Sequence, residues 1–474
     1  MSDTEATTGR FVDAPVDPAL LKQTIKAYDI RGTVPDQINA DFCRGVGSSF
    51  VQLLGDVPGV VVGYDMRPSS PELARAFADG VARTGVDVTV IGLASTDQLY
   101  CASGLLGQPG AMFTASHNPA QYNGIKLCRA HAAPVGQESG LGEITERLAA
   151  GVQGDSPITA GRVTERDMLD DYVRHLRSLV DLSGMRPLSV VIDAGNGMAG
   201  MTAPAVLAGL PLTVVPLFFE LDGTFPNHEA NPIEPANLRD LQRAVIEHGA
   251  DLGLAFDGDA DRCFVVDERG EIVSPSVLTA LIADRELARE PGGTVIHNLI
   301  TSRVVPEVVA EAGGRAVRTR VGHSYIKADM ASTDAIFGGE HSGHFYFRDF
   351  WRADSGMLAA LHVLATLGGT DRLLSDLLAG YQRYAASGEI NSTVVDQAGT
   401  VAAIRERWAS RAADGEEATI DELDGLTVSG SDWWFNVRAS NTEPLLRLNV
   451  EARDEARMQQ LCEDVLGQIR GDVR

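Results

Sequence analysis

The segment DLGLAFDGDADRCFVVD (residues 251–267) joins two hydrophobic strands through a loop that has a carboxylate at every second position. Alternate residues of a strand lie about 7 Å apart, so Asp257, Asp259 and Asp261 reach one point only if the backbone curls. The small residues between them allow that curl. Carboxylate oxygens suit a hard divalent cation such as Mg²⁺, and the guanidinium of Arg262 is matched to phosphate. The segment therefore indicates a metal-binding loop for phosphoryl chemistry.

Two other interpretations of this loop stay open on the segment alone. Calcium loops of EF-hands also begin with alternate Asp residues, and counting from Asp257 places Glu268 at the twelfth position. The sixth position, where the sharp turn needs glycine, is Arg262, and residues 263–266 read as a buried strand. The second alternative is a solvated acidic turn, and only the other motifs decide between them.

Short β-branched runs alternate with longer helical patterns on both sides of the loop, which predicts an α/β architecture with largely parallel strands. The C-terminal part instead predicts a smaller domain of strands followed by an amphipathic helix at 454–469. The predicted strands are residues 59–62, 88–91, 189–192, 212–215, 251–255, 294–296, 426–428, 433–437 and 445–450. The predicted domains are residues 1–155, 156–262, 263–386 and 387–474.

Composition limits the partners of this chain. Its 474 residues, 44% of them hydrophobic, are enough for several cores. Forty basic and 65 acidic residues give a net charge of −25, which argues against nucleic acid and anionic membranes as partners. A phosphorylated metabolite would also be repelled by this field, so functional Lys and Arg residues should cluster in one cleft.

The cellular compartment is predicted from the cysteines and the N-terminus. The five cysteines are scattered without a CxxC pair, and residues 1–5 lack the basic and apolar regions of a secretory signal. The apolar stretch 203–219 is interrupted by prolines and is short for a membrane span of about 20 residues. We therefore expect a cytoplasmic protein.

A polar loop, TASHNP (residues 114–119), is either a plain connector or the site of a nucleophilic serine. Ser116 would carry a phosphoryl group if a metal activated the phosphorus. The following NGIK (residues 123–126) predicts an Asn-Gly hairpin turn that returns Lys126 toward the serine.

Three further polar segments have types of side chain that suit a phosphosugar. RASNTEP (residues 438–444) joins two strands and offers hydroxyls, an amide and a guanidinium for a phosphate group. GEHSGH (residues 339–344) suits hydrogen bonding to sugar hydroxyls, and KAYDIRG (residues 26–32) combines an aromatic, an acid and bases. Each of these is also compatible with an ordinary surface turn.

The segment DAGNGMAG (residues 193–200) favours a different class of protein. Its glycines spell GxGxxG directly after a predicted strand, as in nucleotide-dependent oxidoreductases. Pro204 and Pro211 would interrupt the crossover helix that this fingerprint requires.

The chain resembles the α-D-phosphohexomutases, in their phosphomannomutase/phosphoglucomutase branch. The resemblance lies in five motifs that occur in the family's order: residues 26–32, 114–119, 257–262, 339–344 and 438–442. The resemblance covers nearly the whole chain. It implies four domains around a central cleft: three similar α/β domains with mixed sheets and a smaller α+β C-terminal domain. It also implies an isomerase that interconverts hexose 6-phosphate and hexose 1-phosphate, of mannose, glucose or both, through hexose 1,6-bisphosphate.

The resemblance also implies the roles of individual residues. Ser116 would be the phosphoserine, and Asp257, Asp259 and Asp261 would hold Mg²⁺ together with a phosphoserine oxygen. Lys126 and His344 would be general base and acid, and Arg31 and Arg262 would serve the transfer. The implied substrate contacts are Tyr28, Arg262, His323, Glu340, Ser342, His344, Arg438, Ser440, Asn441 and Thr442.

One segment departs from the family pattern, because Ser95-Thr96-Asp97 stands where many relatives have Thr-Pro. A phosphosugar-binding protein without turnover is the remaining alternative function. The sequence leaves open which hexose is preferred and whether the protein is a monomer or a homodimer.

Overall fold

A computed structural model describes residues 9–156, 159–415, 417–440 and 445–471. The strands are β1 (Gly9–Val12), β2 (Ile30–Thr33), β3 (Val60–Tyr64), β4 (Val88–Leu93), β5 (Gly110–Phe113), β6 (Tyr122–Arg129), β7 (Ala133–Pro134), β8 (Gln153–Ser156), β9 (Val163–Glu165), β10 (Leu188–Asp193), β11 (Leu212–Leu217), β12 (Leu252–Phe256), β13 (Cys263–Asp267), β14 (Ile272–Val273), β15 (Thr294–Asn298), β16 (Arg315–Thr319), β17 (Phe337–Gly339), β18 (Phe345–Phe347), β19 (Ala353–Asp354), β20 (Ala385–Thr393), β21 (Thr419–Asp421), β22 (Leu426–Ser429), β23 (Trp433–Ala439) and β24 (Leu445–Ala452).

The helices are α1 (Pro18–Thr24), α2 (Ala40–Leu54), α3 (Ser70–Ala82), α4 (Thr96–Leu106), α5 (Gly142–Ala150), α6 (Leu169–Leu179), α7 (Ala199–Leu207), α8 (Arg239–His248), α9 (Pro275–Arg289), α10 (Val304–Glu311), α11 (His323–Thr333), α12 (Gly356–Gly368), α13 (Leu374–Leu378), α14 (Gln397–Ala413) and α15 (Glu455–Arg470). Within the described ranges, no helix combines the length and the apolar character that a membrane crossing requires.

The chain forms two compact units. The first contains the described residues of Met1–Ser274 and Ser342–Leu377, and the second contains the described residues of Pro275–His341 and Leu378–Arg474. All nine predicted strands and the predicted C-terminal helix are present, most of them with ends shifted or extended by one or two residues. The strands are predicted well because runs such as Val60, Val61 and Val62 are fully buried, and burial on both faces gives a continuous apolar pattern.

Two mixed sheets dominate the first unit. One has the order β2-β6-β5-β3-β4-β9, in which β3 is parallel to β4 and β5 while β6 is antiparallel to β5 and β2. The other has the order β11-β10-β12-β13-β14, with parallel β10–β12 and antiparallel β12–β13 pairs. The polar loops of interest follow the ends of these buried strands.

The second unit contains a parallel group, in which β15 lies between β16 and β17, and an antiparallel sheet β20-β24-β23-β22-β21. Helices α14 and α15 cover the antiparallel sheet, and their core includes Trp408, Phe435 and Val465. The predicted fold class, mixed α/β sheets followed by a smaller α+β part, is confirmed.

Candidate active site

The serine loop joins the antiparallel strands β5 and β6, which place Met112 opposite Lys126. Ser116 has a left-handed backbone with φ of 51°, and its N–H donates to Thr114 Oγ1 over 2.9 Å. The predicted Asn-Gly turn was wrong, because Asn123 and Gly124 lie inside β6. A Cβ on Gly124 would stand 2.3 Å from the carbonyl oxygen of Ile30 on β2, so glycine serves strand pairing here.

Arg67 holds the serine loop in shape, and sequence reasoning missed this residue. Its buried guanidinium pairs with Asp65, with Nε 3.2 Å from Oδ2. The signal in the sequence was an Asp-x-Arg placed directly after a buried strand. The guanidinium also donates to main-chain carbonyl oxygens of the loop, those of Ser116, Asn118, Pro119 and Tyr122.

The aspartate loop between β12 and β13 curls as predicted, and Ala260 has a left-handed φ of 61°. A ligand oxygen from each of Asp257, Asp259 and Asp261 lies within 4.8 Å of the others. This loop contacts the serine loop directly, because Ser116 Oγ donates to Asp257 Oδ2 over 2.9 Å. A Cβ on Gly258 would lie 2.5 Å from the carbonyl oxygen of Ser116, so only glycine fits this approach.

Lys126 lies between two of the carboxylates. Its Nζ is 2.6 Å from Asp259 Oδ2 and 2.5 Å from Asp261 Oδ2. Burial alone would lower the pKa of Lys126, but the two carboxylates outweigh it and raise that pKa well above its ordinary value. Burial alone would raise the pKa of Asp259, but the Lys126 ammonium outweighs burial and lowers that pKa. These contacts favour the ammonium form, and the general-base role predicted for Lys126 stays a prediction.

Arg262 anchors the other end of the aspartate loop. Its Nε lies 2.8 Å from Asp257 Oδ2, and the pair is almost fully buried. Burial raises the pKa of Asp257 in spite of this guanidinium. Burial lowers the pKa of His117 to about 2, and the positive charges of Arg262 and Arg31 add to the effect. The imidazole is therefore neutral, and its Nδ1 lies 3.3 Å from Ser116 Oγ.

Arg31 reaches the serine loop from β2. It donates to Asn118 Oδ1 and to Asp29 Oδ2, both over 2.6 Å. Burial opposes its charge, but Asp29 more than compensates, and the pKa of Arg31 is raised. Tyr28 lies two residues before β2 and is 39% exposed. Arg31, Lys126 and Arg262 therefore meet around Ser116 within the first unit.

The predicted sugar loop is divided between the two units. In the first unit, Ser342 Oγ lies 2.8 Å from His344 Nδ1, and His344 Nε2 lies 3.6 Å from Asp261 Oδ1. In the second unit, Glu340 is buried and accepts a hydrogen bond from Asn298 Nδ2 over 3.1 Å.

The other predicted contacts that the structure describes belong to the second unit. Arg438 Nη2 lies 3.6 Å from Glu389 Oε2, and its Nη1 lies 3.8 Å from Asp424 Oδ2. The N–H of Ser440 donates to the carbonyl oxygen of Leu445. His323 is the first residue of α11. Asn441 and Thr442 lie outside the described residues, as do residues 1–5. Convergence of Arg438 with Arg31, Lys126 and Arg262 stays a prediction.

The glycine-rich segment after β10 supports the aspartate loop. The N–H of Met198 donates to the carbonyl oxygen of Gly258 over 2.9 Å, and a Cβ on Gly197 would lie 2.7 Å from that oxygen. The expectation about Pro204 was wrong, because α7 runs through this proline from residue 199 to residue 207. Gly197 is thus explained by its packing against the aspartate loop, and Gly200 by its approach to the carbonyl oxygen of Phe219, which would lie 2.2 Å from an added Cβ.

The three aspartates fit a hard divalent cation. Asp259 Oδ1 and Asp261 Oδ1 are buried and have no hydrogen-bond partner in the part of the chain that the structure describes. Buried carboxylate oxygens in this state are costly unless a ligand or ion satisfies them. All-oxygen donor sets of this kind suit Mg²⁺.

Four domain families match the chain in order, all described as phosphoglucomutase/phosphomannomutase. Alpha/beta/alpha domain I matches residues 22–153, domain II residues 170–270, domain III residues 274–384 and the C-terminal domain residues 389–468. The four-domain organisation is thereby confirmed, whereas the predicted boundaries at residues 155, 262 and 386 stay a proposal.

Individual relatives of the chain carry names that agree with these domain families. The chain is 41% identical to "Phosphohexose mutases" of Xanthomonas campestris pv. campestris, over 94% of this chain and 99% of the relative. It is 38% identical to a phosphomannomutase/phosphoglucomutase of Pseudomonas putida, over 94% and 95%. A crystal structure of a phosphoglucomutase/phosphomannomutase family protein from Burkholderia thailandensis superposes with a TM-score of 0.85 at 32% identity, covering 96% of this chain and 98% of that chain. The chain belongs to the phosphoglucomutase/phosphomannomutase family.

Proposed function

We propose that the protein interconverts hexose 6-phosphate and hexose 1-phosphate, of mannose, glucose or both, with Ser116 as the phosphoryl carrier. The observation that carries this proposal is the contact of Ser116 Oγ with the aspartate loop, 2.9 Å from Asp257 Oδ2. The hydroxyl donates to one of three clustered carboxylates, and Lys126 and Arg262 pair with the same cluster. This set of groups is equipped for phosphoryl transfer. A turn without function would not bury so many charges together.

We assign Mg²⁺ to Asp257, Asp259 and Asp261, whose buried oxygens fit a hard cation. When bound, the metal offsets negative charge on the phosphoryl oxygens during transfer. Arg262 pairs with Asp257 and offers a second positive charge. We assign the orientation of the serine loop to Arg31, which donates to Asn118, and to Tyr28.

The reaction comprises two transfers in opposite directions. In the first, the bond between phosphorus and Ser116 Oγ breaks, and a bond to the free C1 or C6 hydroxyl of the substrate forms, giving hexose 1,6-bisphosphate. In the second, the other phosphoryl group returns to Ser116 Oγ. The net result moves phosphate between C6 and C1, and hexose 1,6-bisphosphate also primes the unphosphorylated protein.

Protons must leave the attacking sugar hydroxyl and reach the departing serine oxygen. Lys126 is held as an ammonium by Asp259 and Asp261, so we assign it the donor role. His344, which lies 3.6 Å from Asp261, is assigned the acceptor role. The reverse transfer exchanges the two roles, because the same groups then hold the opposite protonation states.

The remote end of the substrate is assigned to the second unit and to the sugar loop. Arg438, Ser440, Asn441 and Thr442 would bind the phosphate that is not being transferred. Glu340, Ser342 and His323 would contact the sugar. We also assign the protein to the cytoplasm, consistent with its five buried cysteine thiols, and expect a monomer or a homodimer.

The proposal is tested with a Ser116→Ala variant. Conversion of mannose 1-phosphate and glucose 1-phosphate is measured with Mg²⁺ and a trace of glucose 1,6-bisphosphate, and phosphoserine is detected by mass spectrometry. We expect turnover and the phosphoserine to disappear, while hexose phosphate binding persists. Ser183→Ala, which changes an exposed serine of the same unit, is the matched control and should behave as wild type.

Two outcomes would reject the proposal. Full turnover by Ser116→Ala would exclude this serine as the carrier. Hexose phosphate binding without turnover by phosphorylated wild-type protein would instead support the phosphosugar-binding alternative.

A further inference from the structure

Thr96, at the start of α4, contacts the aspartate loop across 163 positions of sequence. Its hydroxyl donates to Asp259 Oδ2 over 2.6 Å, and its N–H donates to the carbonyl oxygen of Asp259 over 3.0 Å. The side chain and the main chain of Asp259 are thus fixed by one residue. Thr96 lies in the Ser95-Thr96-Asp97 segment that the proposed mechanism does not use.

The contact determines which oxygen of Asp259 remains available. Oδ2 accepts from Thr96 and also from Lys126 Nζ, each over 2.6 Å. Oδ1 of the same carboxylate is buried and has no hydrogen-bond partner among the described residues. One oxygen is therefore saturated by two donors, while the other is left for a cation.

Asp97 in turn fixes the helix end that carries Thr96. Its buried carboxylate accepts from Ser95 Oγ over 2.5 Å, Tyr172 OH over 2.8 Å and Ser355 Oγ over 2.6 Å. Tyr172 belongs to α6, and Ser355 caps α12 by accepting from the N–H of Leu358. No Lys, Arg or His side chain pairs with Asp97 in the described ranges, so hydroxyl groups from three separate segments satisfy this carboxylate.

We propose that Thr96 is a positioning residue for the metal-binding loop and that Asp97 acts through Thr96 by fixing the start of α4. The inference rests on the proposed assignment of a divalent cation to Asp257, Asp259 and Asp261. Thr96 keeps Asp259 Oδ2 occupied and Oδ1 directed to the cation. Outer residues that orient metal ligands typically change metal affinity by about 10- to 100-fold when they are removed.

The test measures metal binding directly, apart from turnover. Mn²⁺ is titrated into the full-length protein, and the free ion is followed by electron paramagnetic resonance. Thr96→Val removes the hydroxyl at nearly constant volume and should raise the Kd by about 10-fold or more. Thr96→Ser keeps the hydroxyl and should stay within about 3-fold of wild type on the same scale.

Thr24→Val is the matched control for a lost buried hydroxyl. Thr24 lies in the first unit, is fully buried and donates to the carbonyl oxygen of Leu20 in its own helix, α1. This variant should bind Mn²⁺ like wild type. Thermal unfolding of each variant identifies any loss of affinity that arises only from a loss of folded protein.

Asp97→Asn tests the coupling in a double-mutant cycle. The carboxamide cannot accept all three hydroxyl donors, so the single variant should weaken Mn²⁺ binding, by less than Thr96→Val. In the Thr96→Val background, Asp97→Asn should have no further effect, because its contribution passes through the missing hydroxyl. Additive effects would reject the role given to Asp97.

An unchanged Kd in Thr96→Val, with wild type binding Mn²⁺ and Asp259→Asn losing it, would overturn the inference and leave the metal assignment intact. Failure of wild type to bind Mn²⁺ would overturn the metal assignment and this inference with it.

Discussion

At the scale of single residues, Arg67 shows how one buried charge shapes a reactive loop. Arg67→Met would leave Asp65 buried without its partner and would free the carbonyl oxygens of the serine loop. Breaking a buried pair in this way costs about 3–5 kcal/mol. We expect the free energy of unfolding of the transition that includes this unit to fall by this amount in urea denaturation.

Arg269→Met provides the matched control for this substitution. Arg269 pairs with Asp267 two positions earlier, as Arg67 does with Asp65. In both pairs the main-chain N–H of the arginine donates to Oδ1 of the aspartate over 3.0 Å. The Arg269 side chain is 58% exposed, whereas that of Arg67 is fully buried. Asp267 is buried like Asp65, but among the described residues the Arg269 side chain donates to that carboxylate alone, so the control should lose less stability than Arg67→Met. Equal losses in the two variants would show that burial of Arg67 is not what matters.

At the scale of elements, the site depends on how closely the aspartate loop approaches the serine loop. Gly258→Ala would place a methyl group 2.5 Å from the carbonyl oxygen of Ser116, so the two loops must separate. A displacement of about 1 Å at reacting groups costs roughly 100-fold in rate. We expect kcat for the mutase reaction to fall by about this factor in steady-state assays.

Gly380→Ala adds the same methyl group where no atom lies within 4 Å, and it should leave kcat unchanged. Wild-type kcat in Gly258→Ala would mean that the contact between Ser116 and the aspartate loop has no part in the reaction.

At the scale of the whole molecule, the net charge of −25 repels anions, whereas the proposed site must bind an anionic substrate. A protein of this charge repels a hexose phosphate, unless Arg31, Lys126, Arg262 and Arg438 form a locally positive cleft. Salt screens charges over about 10 Å at 0.1 M ionic strength. If the local cluster governs encounter, kcat/KM should fall as KCl is added, and in Arg438→Gln the fall should be shallower.

The salt titration distinguishes the field of the local basic cluster from that of the whole protein, because the two predict opposite changes of kcat/KM with added KCl. A rise of kcat/KM with added KCl would show that the overall negative charge dominates, and would contradict the convergence of these four basic residues.

The strands and the chemistry of the loops can be predicted from the sequence without the fold. Buried runs such as Val60 to Val62 reveal strands because both faces are covered, and the alternating aspartates 257, 259 and 261 indicate a metal site by residue type alone. Both signals lie in neighbouring residues, so they can be interpreted without knowing the fold.

The partners of these residues, in contrast, depend on the tertiary fold. Thr96 contacts Asp259 across 163 positions and Lys126 contacts Asp259 across 133, and no local pattern contains those distances. The same holds for Gly124, which looked like a turn residue but lies in a strand, where a side chain would collide with the carbonyl oxygen of Ile30. Hydrogen bonds and ion pairs between distant segments depend on how the strands are ordered in the sheets, and this order is a property of the whole fold.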